Sequence, residues 1–217
     1  LTREGVEAGK NPIAEYYKIA GPADIENKNS SSVFVPHWLL NKDEMLALLL
    51  DRSDNNAPNQ SSRFTHHVRE LKQQYLVENN LTELTDGLTI DSPIPYSIRH
   101  LLDRLSNDDN GMKQGARGDV KGDWNGKLTR FIGRLETKID DKRNSFLFES
   151  PEGANKYEWL ATYANQFLET KADSLGIKVI DFNIMVRSYR VRHRTIVLGK
   201  LPTAQVTNNP DTFNRTR

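Results

Sequence analysis

Apolar residues recur at helical period through the middle of this chain and give way to β-branched runs towards both ends. Phe64, Val68, Leu71 and Tyr75 are spaced by four, three and four, which places them on one face of a helix over 60–78. A shorter stripe of Leu46, Leu49 and Leu50 follows Asn41. That asparagine suits a helix N-cap, with Glu44 where a capping box wants it. Asp51 to Pro58 is a polar break, since Pro58 cannot continue that helix. Ser97 is placed to cap a third helix carrying Ile98, Leu101, Leu102 and Leu105. Leu128, Phe131, Ile132, Leu135 and Ile139 predict a fourth, and Tyr157 to Thr170 a fifth.

Extended segments frame this block. Ile13 to Ala20 has enough apolar content for a short element, and Val33-Phe34-Val35 is a strand-like run ended by Pro36. Thr89 to Pro95 is extended because a residue before proline is pushed out of the helical region. Ile177 to Phe182 is nearly continuous in β-branched and apolar residues, as in a strand buried on both faces of a parallel sheet. Four glycines, among Asn, Asp and Lys, predict a mobile loop over 106–123. The fold class is therefore mainly α with a few strands. A polar N-terminal segment (1–32) precedes a helical block (33–175), a strand (176–183) and a basic, unstructured tail (184–217).

Composition narrows the setting. No apolar run in the 217 residues approaches the roughly 18 needed to span a membrane. Cysteine is absent, which removes disulfides, thiolate metal sites and cysteine nucleophiles and fits a reducing cytoplasm. The net charge of +1 hides an asymmetry. Arg187, Arg190, Arg192, Arg194, Lys200, Arg215 and Arg217 face only Asp211 after residue 183, so the tail is strongly basic and the body mildly acidic. Such a tail either neutralises phosphates or is simply a solvated end.

Candidate chemistry is sparse. Gly126-Lys127 and Gly199-Lys200 look like the end of a phosphate-cradling loop, but both lack the earlier glycine and the following Ser or Thr. Gly115, Gly118 and Gly122 have no apolar strand before them, so they do not form a dinucleotide fingerprint. His66 and His67 are adjacent and point about 100° apart on a helix. They cannot share an ion as an i, i+4 pair would, and they read as solvated or helix-packing residues. Asp181 ends the β-branched strand, where parallel sheets gather ligands; it lines a crevice or bonds a neighbouring turn. Lys127, Arg130, Arg134 and Lys138 share one helix face. This ridge either meets a subunit, a phosphate or DNA, or is a solvated face paired with Glu136, Asp140 and Asp141.

Pro36-His37-Trp38-Leu39-Leu40-Asn41-Lys42-Asp43-Glu44 resembles the opening of the helical insertion in HerA-type ATPases. Leu50-Asp51-Arg52-Ser53, Asn59-Gln60, Ile90-Asp91-Ser92-Pro93-Ile94-Pro95-Tyr96, Gly126 to Glu136, Phe146-Leu147-Phe148 and Val179-Ile180-Asp181-Phe182 follow in the family's order over residues 33–182. The resemblance implies the helical insertion of a RecA-like P-loop domain, in a hexameric motor driven by ATP and Mg²⁺. Such motors move along or unwind duplex DNA with a nuclease or a defence effector as partner, in DNA-end processing or antiphage defence. In that family the phosphate loop precedes the insertion and the acidic strand end follows it. Neither has a match here, so no catalytic residue is carried over and the chain reads as a fragment. Truncation or a frame error accounts for the unfamiliar run after Phe182. A non-enzymatic helical interaction module is the alternative reading. A hydrolase built on Glu44, Asp91 and Asp181 is a third, with nothing in the sequence that groups those carboxylates.

Overall fold

The computed structural model describes residues 14–21, 24, 32–149, 151, 153–168, 177–181 and 195–198. Six strands are present among them: β1 (Ala14–Ile19), β2 (Ser32–Val33), β3 (Met112–Gly115), β4 (Gly118–Lys121), β5 (Ile177–Asp181) and β6 (Thr195–Leu198). They form a four-stranded sheet of order β2-β1-β5-β6 and a separate β3–β4 hairpin. β1 runs parallel to β2 and to β5, with Ala14 opposite Ile177 and Lys18 opposite Asp181. The β-branched run thus occupies an interior strand, as its composition requires. β6 joins it antiparallel. That corrects the expectation of an unstructured tail at these four residues, where Thr-Ile-Val-Leu is a β-forming run set in basic surroundings.

The mainly helical remainder lies between β2 and β5. Helix α1 (Lys42–Leu49) begins with a complete capping box: Asn41 Oδ1 accepts from the Glu44 amide and Glu44 Oε2 from the Asn41 amide, both at 2.9 Å. Helix α2 (Ala57–Glu78) starts three residues before the predicted 60, because Pro58 sits in its first turn, where a missing N–H breaks no bond. The proline that cannot extend α1 thereby opens α2. α2 ends on Asn80 at φ 57°, with Asn80 N–H donating to Val77 O and Leu81 N–H to Leu76 O. This pairing satisfies the last carbonyls of the helix.

Helix α3 (Ile98–Asn110) is capped by Ser97, and α4 (Thr129–Asp140), α5 (Ser145–Phe148) and α6 (Trp159–Leu168) follow. Phe64 of α2 meets Phe131 of α4 edge-on at 6.1 Å, inside a core that includes Met45, Leu49, Leu101, Leu105, Leu128 and Leu135. Burial of each such side chain contributes roughly 1.5–3 kcal/mol. A smaller cluster of Tyr17, Ile19 and Val33 packs the sheet against Phe146 and Tyr163.

The loop expected over 106–123 is instead ordered secondary structure. α3 continues to Asn110, and the hairpin turns through Ala116 and Arg117. Gly118 has φ 118°, and a Cβ on Gly115 would lie 2.9 Å from the Gly118 carbonyl oxygen. Glycines that read as flexibility are what this tight reversal demands.

Candidate functional site

The runs that carry the family resemblance meet in space and bond one another. His37, 4 % exposed, donates through Nε2 to the Tyr96 carbonyl at 2.9 Å. Burial holds its ring neutral, with a pKa lowered to about 4 in spite of that bond. Trp38, 1 % exposed, donates through Nε1 to the Ala154 carbonyl at 3.1 Å. The Lys42 amide donates to Asp91 Oδ1 at 2.7 Å. The buried Lys72 ammonium donates to the carbonyls of Ile90 and Ser92 at 2.7 and 2.6 Å. Arg134 Nη2 donates to Asp51 Oδ2 at 3.0 Å. Asp51 also accepts from the hydroxyl and amide of Ser53, which chiefly hold its carboxyl below the usual carboxylate range, with Arg134 and Arg130 adding to the effect. These side chains fasten the helical block together.

The cationic ridge of α4 is real in part. Arg130, Gly133, Arg134, Thr137 and Lys138 line a shallow groove of about 360 Å³. Arg130 is exposed and makes no ion pair among the described residues, while Arg134 is half-buried and tied to Asp51. The second terminal nitrogen of Arg134, Nη1, is shielded from solvent with no acceptor among the described residues. Lys127 stands apart at the start of α4, its ammonium 5.8 Å from the Trp124 ring, whose centroid also lies 5.0 Å from the Arg63 guanidinium carbon. The expected pairing of the ridge with Glu136 is absent among the described contacts; Asp140 meets Arg99 and Asp141 meets Arg143 instead.

Gly126 and Lys127 do not cradle a phosphate. Gly126 N–H donates to the Asp109 carbonyl at 3.0 Å and Lys127 N–H to the Trp124 carbonyl at 3.0 Å. The Asp109 carboxylate accepts from the Leu128 amide at 2.7 Å and from Thr129 Oγ1, so it caps α4 from the end of α3. Both amides that an anion would need are taken. Gly199-Lys200 lies outside the described residues.

Asp181 stands at the carboxyl end of β5, level with Lys18 on β1 and Thr195 on β6. Lys18 is paired with Asp24 at 2.9 Å. Glu44 and Asp91 are both occupied with backbone amides, as a helix cap and at Lys42.

A group that sequence reasoning set aside lies along the seam of α2 and α3. The ring nitrogens of His66 and His67 and a carboxylate oxygen of Glu70 lie within 4.8 Å of one another. The two histidines do diverge on the helix, but Glu70 is i+4 from the first and i+3 from the second and reaches both. The legible signal was H-H-x-x-E rather than the histidine pair alone. Asp108 of α3 accepts from His67 Nε2 at 2.7 Å and from Arg63 Nε at 2.6 Å. Burial raises its carboxyl, but these two partners prevail and hold it below the usual range. Arg104 donates to Glu70 Oε2 at 3.1 Å and to Gln74 at 2.8 Å.

No protein-family model matches the chain, and no curated protein matches it.

Proposed function

We propose that this chain is the helical insertion of a HerA-like, DNA-translocating ATPase, together with strands of the sheet that the insertion leaves and rejoins. One observation carries the reading. The chain departs from β2, folds into the helical block, and returns as β5 parallel to and beside β1. An insertion into a parallel sheet has that connectivity, and the motifs behind the resemblance are the side chains that close the block. In the parent motor, a hexamer would use ATP and Mg²⁺ to move on duplex DNA alongside a nuclease or defence effector. The block would shape subunit contacts or dock that partner, and the chemical step would belong to the flanking P-loop sheet. The chain alone then neither binds nor hydrolyses ATP. Titration with fluorescent ATP and Mg²⁺ tests this, and saturable micromolar binding refutes it.

The alternative, a helical module that binds an anionic partner without chemistry, draws on the groove of α4. Arg130, exposed and without an ion pair among the described residues, offers its guanidinium donors to a phosphate or carboxylate from the wall of that groove. Salt-dependent binding of duplex DNA that is weakened by Arg130→Ala would favour it over the first reading.

A further inference from the structure

The geometry points to a binding site for a borderline divalent transition-metal ion, of the Zn²⁺ class, formed by His66 Nε2, His67 Nδ1 and Glu70 on one face of α2.

The argument starts from His67. Its side chain is 8 % exposed, and its Nε2 lies 2.7 Å from Asp108 Oδ2. Arg63 Nη2 also lies 3.1 Å from this nitrogen, but Arg63 already donates to Asp108 at 2.6 Å. The shorter contact of Nε2 is to the carboxylate, which only accepts, so Nε2 carries the proton and Nδ1 is left with the lone pair. Nδ1 is buried and has no hydrogen-bond partner. It lies 3.6 Å from Glu70 Oε2, while His66 Nε2 lies 3.2 Å from Glu70 Oε1. A buried, unpartnered imidazole nitrogen beside a carboxylate and a second imidazole is a costly arrangement unless something binds there.

The supporting groups match what metal sites use. A ligating histidine usually gives its other N–H to a carboxylate, which orients the ring and makes it a better donor. Asp108 does this for His67, and Arg63 holds Asp108 in turn. Arg104 holds Glu70 by Oε2, which leaves Oε1 on the side of His66. His66 and Glu70 are both about half exposed, so modest side-chain rotation closes the donors onto an ion at about 2.0–2.2 Å.

Chemistry selects the ion. Two imidazole nitrogens and one oxygen suit Zn²⁺, Co²⁺, Ni²⁺ or Cu²⁺, whereas Ca²⁺ and Mg²⁺ require mostly oxygen. Arg63 and Arg104 offset the charge of Asp108 and Glu70, so the site attracts a cation through its donor atoms rather than by a strong negative field. Three protein ligands leave a further position for water. The ion would also link α2 to α3 through Asp108.

Titration of the full chain with Zn²⁺, followed by calorimetry, tests the site. One equivalent should bind, about tenfold or more weakly in His66→Gln and in Glu70→Gln, and unchanged in His100→Gln. Far-UV circular dichroism checks that each variant keeps its helices. If a variant does not fold, nitrogen-15 spectra of the wild-type imidazoles decide, since Zn²⁺ must shift the ring signals of His66 and His67 together. Absence of binding, binding indifferent to His66→Gln or Glu70→Gln, or imidazole signals that shift only at other histidines would overturn the proposal.

Discussion

Arg134 Nη2 and Asp51 Oδ2 meet at 3.0 Å although 83 residues separate them. The contact ties the polar stretch after α1 to the middle of α4, and it splits the cationic ridge into two kinds of residue. Arg134 is tied into the fold, while Arg130, one turn earlier, is exposed and makes no ion pair among the described residues.

The two arginines should therefore fail differently. Arg134→Ala should lower the thermal midpoint by a few degrees, and less so at high salt, because a half-exposed pair is screened. Arg130→Ala should leave the midpoint within about one degree; if the groove of α4 binds duplex DNA, as the alternative reading has it, the change should also remove roughly one phosphate's worth, about 0.9, from the slope of log affinity against log salt. Differential scanning fluorimetry and fluorescence anisotropy separate the outcomes. Equal thermal losses in both variants would show that the split is wrong.

Trp38 anchors the opening motif in the core, 1 % exposed, against Trp159 and the Ala154 carbonyl. Trp38→Phe removes the donor and leaves a buried carbonyl unpaired, a cost of about 1–3 kcal/mol. Trp38→Ala adds a cavity, for about 3–5 kcal/mol in total. Urea unfolding followed by circular dichroism measures both. A Trp38→Ala chain as stable as the wild type would show that the motif does not hold the block.

Much of this architecture was legible because it is written at short range. The capping box at Asn41 and Glu44, the Ser97 cap and the three-and-four spacing of α2, α3 and α4 are local patterns with one physical solution each. The hairpin was missed because Gly115 and Gly118 look the same in a loop and in a tight turn; only the cross-strand register distinguishes them. β6 was missed because its partner, β5, lies across an intervening segment and basic composition masked a four-residue β run. At the site, the ridge of α4 was visible as helical spacing, but the attachment of Arg134 to Asp51 was not. The nearness of Glu70 to His66 and His67 is visible only when the H-H-x-x-E spacing is taken as a whole, and the contact of His67 with Asp108 comes from another helix.

Acid should act on the fold through His37. Its folded pKa is lowered from 6.5 to about 4 by burial, so between these values the unfolded chain binds more protons than the folded one. Stability is then fully present above about pH 6.5 and falls as pH drops towards 4, by up to about 3 kcal/mol. His37→Gln keeps a donor for the Tyr96 carbonyl but cannot titrate, so its stability should fall less than that of the wild type between about pH 6.5 and 5. Carboxylates held below their usual range, such as Asp24 and Asp108, add a decline common to both chains below about pH 5. Denaturant midpoints at half-unit intervals between pH 4 and 7 would reveal the difference. Parallel slopes for both chains would rule out His37 as the acid-sensitive group.

Lys72 should produce the opposite limb. Its ammonium is buried against the Ile90 and Ser92 carbonyls and 5.6 Å from the Tyr96 ring, and burial lowers its pKa to about 8 although Asp91 pulls it upward. A free lysine keeps its proton to about 10.5, so between about pH 8 and 10.5 the unfolded chain again holds the extra proton. Stability should rise with pH across this interval, by about 1–3 kcal/mol, because the neutral amine is easier to bury. Tyr17, Tyr96 and Tyr163, all pushed up by burial, reverse the trend above about pH 10, where the unfolded chain ionises its tyrosines and the folded one does not. Lys72→Met removes the titration and leaves two carbonyls without their donor. It should be less stable at pH 7 by about 1–3 kcal/mol and should lose the rise between pH 8 and 10. Urea midpoints of both chains from pH 7 to 10 measure the two effects together, and a Lys72→Met chain that still gains stability over that range would assign the rise to another group.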